Sequence, residues 1–173
     1  MTGLSACRTE SAQTVLVELV SSRAEHRPAL EAFLREWNAL RVARRSELVD
    51  ALDQPAVTAW SGSELTGVAT YVLDAEGCEL LTLHVATRQS GVGSALVGAV
   101  KDIARDAGCR RLWVVTTNDN LDALRFYQRR GFRLRLIRPG AVDRSRELLK
   151  PEIPTTGTFG IPLRDEIELE MSW

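Results

Sequence analysis

The residues whose spacing points most directly to chemistry are Arg88, Gln89, Ser90, Gly91, Val92, Gly93 and Ser94. An apolar run (Leu80, Leu81, Leu83, Val85) precedes them. After them Val92, Ala95, Leu96, Ala99, Val100, Ile103, Ala104 and Ala107 recur at helical spacing. Strand, glycine turn, helix is a device for holding phosphate. The first helical turn has N–H groups without helical partners and a partial positive charge, and glycines let an anion approach the backbone. A Walker loop needs Lys-Ser/Thr after its last glycine, whereas Gly93 is followed by Ser94 and Ala95. A dinucleotide-binding turn needs a third glycine three residues after Gly93, and that position is Leu96.

The elements that must position this turn are readable on both sides. Thr14–Val20 alternates as a first strand, with Val15, Val17 and Leu19 on one face. Pro28 opens a helix through Leu30, Phe33, Leu34, Trp37 and Leu40, and a second short helix is expected over Arg45–Leu52. Val57–Trp60, Gly67–Leu73 and Leu80–Val85 read as an antiparallel meander with turns at Ser61–Glu64 and Asp74–Gly77. Gly108 is a helix stop, and the strand Arg111–Thr116 should then lie parallel to Leu80–Val85 after the helical crossover. Asn118, Asp119 and Asn120 are cap residues for a helix over Leu121–Arg130. Strand Phe132–Ile137 and a short helix over Ala141–Leu149 follow. A Pro/Gly-rich loop spans Pro151–Pro162, and such long loops are often functional. In the closing strand Arg164–Met171, Ile167, Leu169 and Met171 alternate with Glu166, Glu168 and Glu170, so it reads as half-buried.

At 173 residues the chain suits one domain, expected over 13–173 after a loosely ordered tail at 1–12. Composition is that of a soluble protein, with no apolar run of membrane-spanning length and no signal-type apolar core at the start, so no membrane partner is expected. Cys7, Cys78 and Cys109 have no metal-type spacing and read as reduced thiols, which favours a cytoplasmic setting. With two histidines, His26 and His84, no metal site is expected. The net charge of −1 conceals a basic segment: residues 101–150 carry 13 basic and 6 acidic side chains. Beside a phosphate-binding turn this suits a polyanionic cofactor, and no nucleic-acid-binding module is recognisable.

Two blocks together carry a family resemblance. Arg88, Gly91 and Gly93 fit the Arg/Gln-x-x-Gly-x-Gly/Ala turn of the GCN5-related N-acetyltransferases (GNAT). One helix and one strand later, Asn120, Ala123, Phe126, Tyr127, Gly131 and Phe132 match in register the block Asn-x-x-Ala-x-x-Phe-Tyr-x-x-x-Gly-Phe of the same superfamily. The resemblance covers roughly Val57 to Leu136. It implies an α/β (α+β) fold with a mixed, mostly antiparallel sheet of six or seven strands and helices on both faces. It also implies that Leu80–Val85 and Arg111–Thr116 splay into a V that holds acetyl-coenzyme A (acetyl-CoA).

The resemblance assigns roles to residues. Pyrophosphate would lie on Gln89–Ser94, beside Arg88; pantetheine would pair with the strand edge at Leu83 and Val85; and Asn120, with Ala123 and Phe126, would line that arm. Tyr127 would donate a proton to the departing thiolate, and the Val85 N–H would hold the developing oxyanion. A protonated amine must lose a proton before it attacks, and two bases are open. Glu79 begins the strand before the turn; His84 lies near its end with a suitable ordinary pKa. The stretch from Val85 to Gly91 is about two residues shorter than the family's common pattern, so Glu79 and His84 both stay in play. Trp37, Arg41, Arg44, Arg45 and the loop at Pro151–Pro162 are expected around the acceptor, a small-molecule or peptide amine. The expected activity is acetyl transfer to a primary amine by direct attack in a ternary complex. The alternatives are transfer of another acyl group and a coenzyme A-binding regulatory module without turnover. Dimers are common in the family, so a homodimer is compatible with this reading.

Overall fold

The alternation in the central strands and the helical period after Gly91 come together as one sheet with helices on both faces. The computed structural model describes residues 17–88 and 90–173. Its elements are β1 (Glu18–Ser21), α1 (Arg27–Glu36), β2 (Arg41–Arg44), β3 (Glu47–Asp50), β4 (Ala56–Ser61), β5 (Glu64–Asp74), β6 (Gly77–Val85) and α2 (Val92–Asp106). Then come β7 (Arg111–Thr117), α3 (Leu121–Gln128), β8 (Arg133–Arg138), α4 (Ala141–Leu148) and β9 (Glu166–Ser172). Seven strands pair in the order β1-β4-β5-β6-β7-β9-β8. Every pair is antiparallel except β6 with β7, the pair joined by the α2 crossover. The expected sheet, meander and parallel crossover are therefore present.

The two faces of the sheet are built differently. On one, α2 buries Val92, Leu96, Val97, Val100 and Ala104 against Ala59, Ala69, Leu80, Leu112, Val114 and Leu169. On the other, α1 buries Leu30, Phe33 and Leu34 against Val68 and Leu81. Alternation along the strands supplies both faces at once.

Three expectations change. The segment read as a second helix is instead a hairpin, β2 with β3, closed between Arg44 and Glu47 by Arg45 and Ser46. Both turn residues have positive φ (51° and 65°), as a two-residue type I′ turn requires. Asn-Gly is the usual signal for that turn, and Arg-Ser hides it. The carboxylate of Glu166 holds the conformation from across the sheet, accepting the Arg45 backbone N–H at 3.2 and 3.1 Å. The first strand starts at Glu18; Val17 packs on the core but Leu19 is exposed, while Val15 and the expected tail lie outside the described residues. In β9 the glutamates are not all solvated: Glu166 and Glu168 are buried, Glu166 on the Arg45 N–H and Glu168 against Arg111 and Arg138 of neighbouring strands.

Candidate active site

The site begins where β6 and β7 stop pairing. Only Cys78 with Leu112 and Glu79 with Trp113 are in register, after which the strands separate while β6 stays paired to β5 as far as Val85. A bulge helps to start the separation: Thr70 faces Thr82 and Tyr71 faces Leu80, which leaves Leu81 as the extra residue of β6. The Ala86 N–H donates to Thr66 O at 2.8 Å. By strand alternation, the peptide groups of His84 then turn toward β5, and those of Leu83 and Val85 toward the gap. The strands therefore diverge as a V, and the peptide groups of Leu83 and Val85 face into it.

The glycine turn is set by close packing. Gly91 takes a left-handed conformation (φ 84°) as the N-cap of α2. A Cβ on Gly93 would meet the Phe126 ring at 3.3 and 3.4 Å, so this glycine lets α2 and α3 approach. Gly67 does the same for α2 on β5, where a Cβ would lie 2.8 Å from Val92 Cγ1. Ser90 Oγ donates to Thr87 O at 2.8 Å, and Arg88 spans to Asp122 at 2.9 Å. Gln89 lies outside the described residues. Arg130, which the sequence reading passed over, lies on this turn. Its guanidinium stacks 3.5 Å from the Phe126 ring centroid, and its Nε and Nη2 both reach Ser94 Oγ. Its position one residue before Gly131, inside the second block, was the available signal.

The opposite side of the V opens into a cleft of about 360 Å³. Its walls include the expected Glu79, Leu83, His84, Asn120, Ala123 and Tyr127 together with Trp37, Arg41 and Arg44, and the long loop contributes Ile153 at one end. Arg45 is not on this wall: its guanidinium lies 4.9 Å from the Trp113 ring centroid and pairs with Glu76 at 3.0 Å. Asn120 caps α3 through its Oδ1, which accepts from the Ala123 N–H at 3.1 Å, and the side-chain amide is left for another partner.

Tyr127, His84 and Glu79 are among the titratable groups that share the cleft. Tyr127 is buried edge-on to Phe126 and Phe132, and burial pushes its phenol far above the ordinary value, with Arg130 opposing. It is protonated at neutral pH. His84 stacks on Trp37 (5.3 Å between centroids, 25° between planes), and burial pushes its pKa down to about 4. Its imidazole is neutral at pH 7. Glu79 is fully buried at the closed end of the V; burial raises its pKa, and Arg44, 2.8 Å away, opposes that. A neutral proton acceptor and a protonated phenol therefore flank one space.

The model of the Acetyltransferase (GNAT) family matches residues 17–132, which include both the glycine turn and the Tyr127 block. The chain belongs to this family. Among relatives, Uncharacterized protein YdhI of Bacillus subtilis (strain 168) is 39% identical over 137 residues, 78% of this chain and 84% of YdhI. Among solved structures, an IAA acetyltransferase from Bacillus cereus ATCC 14579 is similar with a TM-score of 0.69 at 22% identity, covering 91% of this chain and 100% of that one. A GNAT family acetyltransferase from Elizabethkingia anophelis with acetyl-CoA bound gives 0.64 at 20% identity, covering 91% and 98%. At those identities the likeness is one of fold. The GNAT match ends at Phe132, so α4, the loop after it and β9, which complete the cleft, lie beyond the matched segment.

Those outlying elements supply the residues that sequence reasoning missed. Ser145 and Lys150 reach the cleft from α4 and its end, and Glu166 from β9. None stands in a motif. Asn118 and Asp119, read only as caps, tie the loop to the end of β7. Asn118 Oδ1 accepts the backbone N–H groups of Arg164 and Asp165 at 3.0 and 2.9 Å, and Asp119 Oδ2 accepts that of Thr158 at 2.8 Å.

Proposed function

We propose that the protein is an acetyl-CoA-dependent N-acetyltransferase that acts on a primary amine, a small molecule or a peptide, in a ternary complex. The observation that carries this reading is the pair of groups, protonated Tyr127 and neutral His84, on the walls of one cleft beside the unpaired edge of β6. The unpaired peptides of Leu83 and Val85, the Gly91–Gly93 turn and Arg130 fit a long phosphorylated thioester. Acetyl-CoA, when bound, supplies an acyl carbon that an uncharged amine can attack.

As the uncharged amine bonds to the acyl carbon, an imidazole nitrogen of His84 accepts the proton that the amine nitrogen sheds, and Tyr127 gives its phenolic proton to the sulfur as the C–S bond breaks. Val85 N–H offers a donor to the oxygen on which charge develops. Glu79 is tied up by Arg44 at the closed end of the V, so it holds the hairpin in place and His84 is the base. The free thiols Cys78 and Cys109 suit a reducing cytoplasm as the working compartment.

Calorimetric titration with acetyl-CoA, with NAD as the control, tests the reading first. Micromolar binding of acetyl-CoA and none of NAD is expected. Failure to bind acetyl-CoA would remove both the cofactor and the enzyme from this proposal.

A further inference from the structure

The cleft contains a buried cation with no carboxylate in contact among the described residues. Lys150 is 8% exposed, and its Nζ donates to Asn38 O at 3.2 Å and Arg41 O at 2.9 Å. An ammonium has three hydrogens, so one donor remains. Among the described residues, no carboxylate lies within 4 Å of Lys150 or of Arg41, which lines the same cleft. Burial lowers the Lys150 pKa; Glu152 acts against that from an exposed position, and Arg41 adds to it. A buried cation held only by carbonyls is costly unless an anion joins it.

Of the cleft's other charges, Arg44 is taken by Glu79 and Glu47, while the Glu166 carboxylate accepts the neutral Arg45 N–H and, among the described residues, has no cation within 4 Å. The cations of the cleft without a carboxylate at that distance are Lys150 and Arg41. This spot is one residue from the acid–base end, because Asn38, whose carbonyl holds Lys150, follows Trp37, whose ring stacks on His84. Val42 and Leu81 line the same cleft as Trp37 and give it apolar surface.

We infer that Lys150 and Arg41 seat a carboxylate of the acceptor, so that the substrate is a small amino acid with an apolar body, held amine toward His84. This rests on the acetyltransferase reading and adds the acceptor class to it. A planar carboxylate suits the Arg41 guanidinium beside a single ammonium donor. The cleft volume suits a small molecule.

The test compares kcat/KM for matched pairs, each an apolar amino acid and the amine left after its decarboxylation, in the wild-type protein, Lys150→Met and Arg41→Gln. In the wild type, the carboxylate-bearing member should be preferred by roughly 10- to 100-fold, the range of one charge-assisted hydrogen bond. That preference should shrink toward unity in both variants. Arg41→Gln guards against a folding defect in Lys150→Met, since Arg41 is exposed and Lys150 also ties the hairpin. N-acetylphenylalanine, which carries the carboxylate without the amine, should raise Tm in the wild type and not in Lys150→Met. Equal or reversed preference in the wild type would overturn the inference, as would a preference that survives both substitutions. So would no turnover of any amino acid by protein that binds acetyl-CoA. Absent acetyl-CoA binding, by contrast, would strike the parent reading, and calorimetry reads that separately.

Discussion

The two faces of the sheet are held by different physics. Beneath α2, the layer between helix and sheet is apolar, and the residues that form it lie at regular spacings within single elements. Beneath the β2–β3 hairpin the floor is ionic. Arg44 meets Glu79, Arg111 meets Glu168 and Glu170, Arg138 meets Glu168, and the guanidiniums of Arg45 and Arg111 lie 4.9 and 5.6 Å from the Trp113 ring centroid. Buried polar atoms remain without hydrogen bonds there, among them Arg44 Nε, Trp113 Nε1 and Ser145 Oγ. The first face holds the glycine turn by close packing. The second keeps polar groups out of water at a cost in stability.

The largest expected effect falls on the seam between the faces. Tyr127→Phe keeps the ring against Phe126 and Phe132 and removes the proton donor. Turnover should fall by roughly 100-fold or more, with acetyl-CoA affinity close to wild type, since general acid catalysis contributes about that much. Single-turnover kinetics alongside calorimetry would separate the two quantities. Unchanged turnover would make Tyr127 part of the packing alone, and the contrast between the faces would lose its chemical end.

Next comes the ionic face itself. Arg44→Met leaves the Glu79 carboxylate fully buried without its cation, and stability should fall by about 3 to 5 kcal/mol, as for other halved buried pairs. The double variant with Glu79→Met should recover much of that loss, because it removes the stranded charge. Urea denaturation of the four proteins of the cycle measures this. Strict additivity would mean that the pair does not couple and that the ionic floor is incidental.

What could be read in the sequence follows the same division. The cofactor side was legible because its determinants are local: the helical period after Gly91, the Arg88-x-x-Gly91-x-Gly93 turn, and the block from Asn120 to Phe132. The ionic side depends on partners far apart in the chain. Glu166 holds the Arg45 turn across 121 positions, and Lys150 reaches Arg41 across 109. Neither partner has a periodicity or motif to announce it. The hairpin was mistaken for a helix because its two turn residues adopt positive φ without Gly or Asn, and the Glu166 carboxylate that compensates is invisible locally. The glutamates of β9 alternate as a solvated face would, but the arginines of β7 and β8 cover them.

His84 gives the finest test, because it lies on the ionic side yet is kept neutral by burial. Its pKa is about 4 in the folded protein against an ordinary 6.5. Between those values the unfolded chain binds the proton more readily than the folded one, so stability falls as pH drops through that window. It is fully retained above about 6.5 and the loss levels off below about 4. Glu79, on the same cleft wall, is shifted the opposite way, upward, and its contribution has the opposite sign. His84→Phe keeps a ring for Trp37 and cannot titrate, so the difference between the two proteins isolates the histidine while Glu79, Arg44 and Arg41 stay common to both. Thermal melts from pH 7 to pH 4 should bring the wild type down relative to His84→Phe. Parallel curves would mean that water or an anion reaches the imidazole and that His84 is not the shielded base its burial makes it. The cleft would then be wet at its catalytic end, and Glu79, dry at the apex, would become the stronger candidate for the proton.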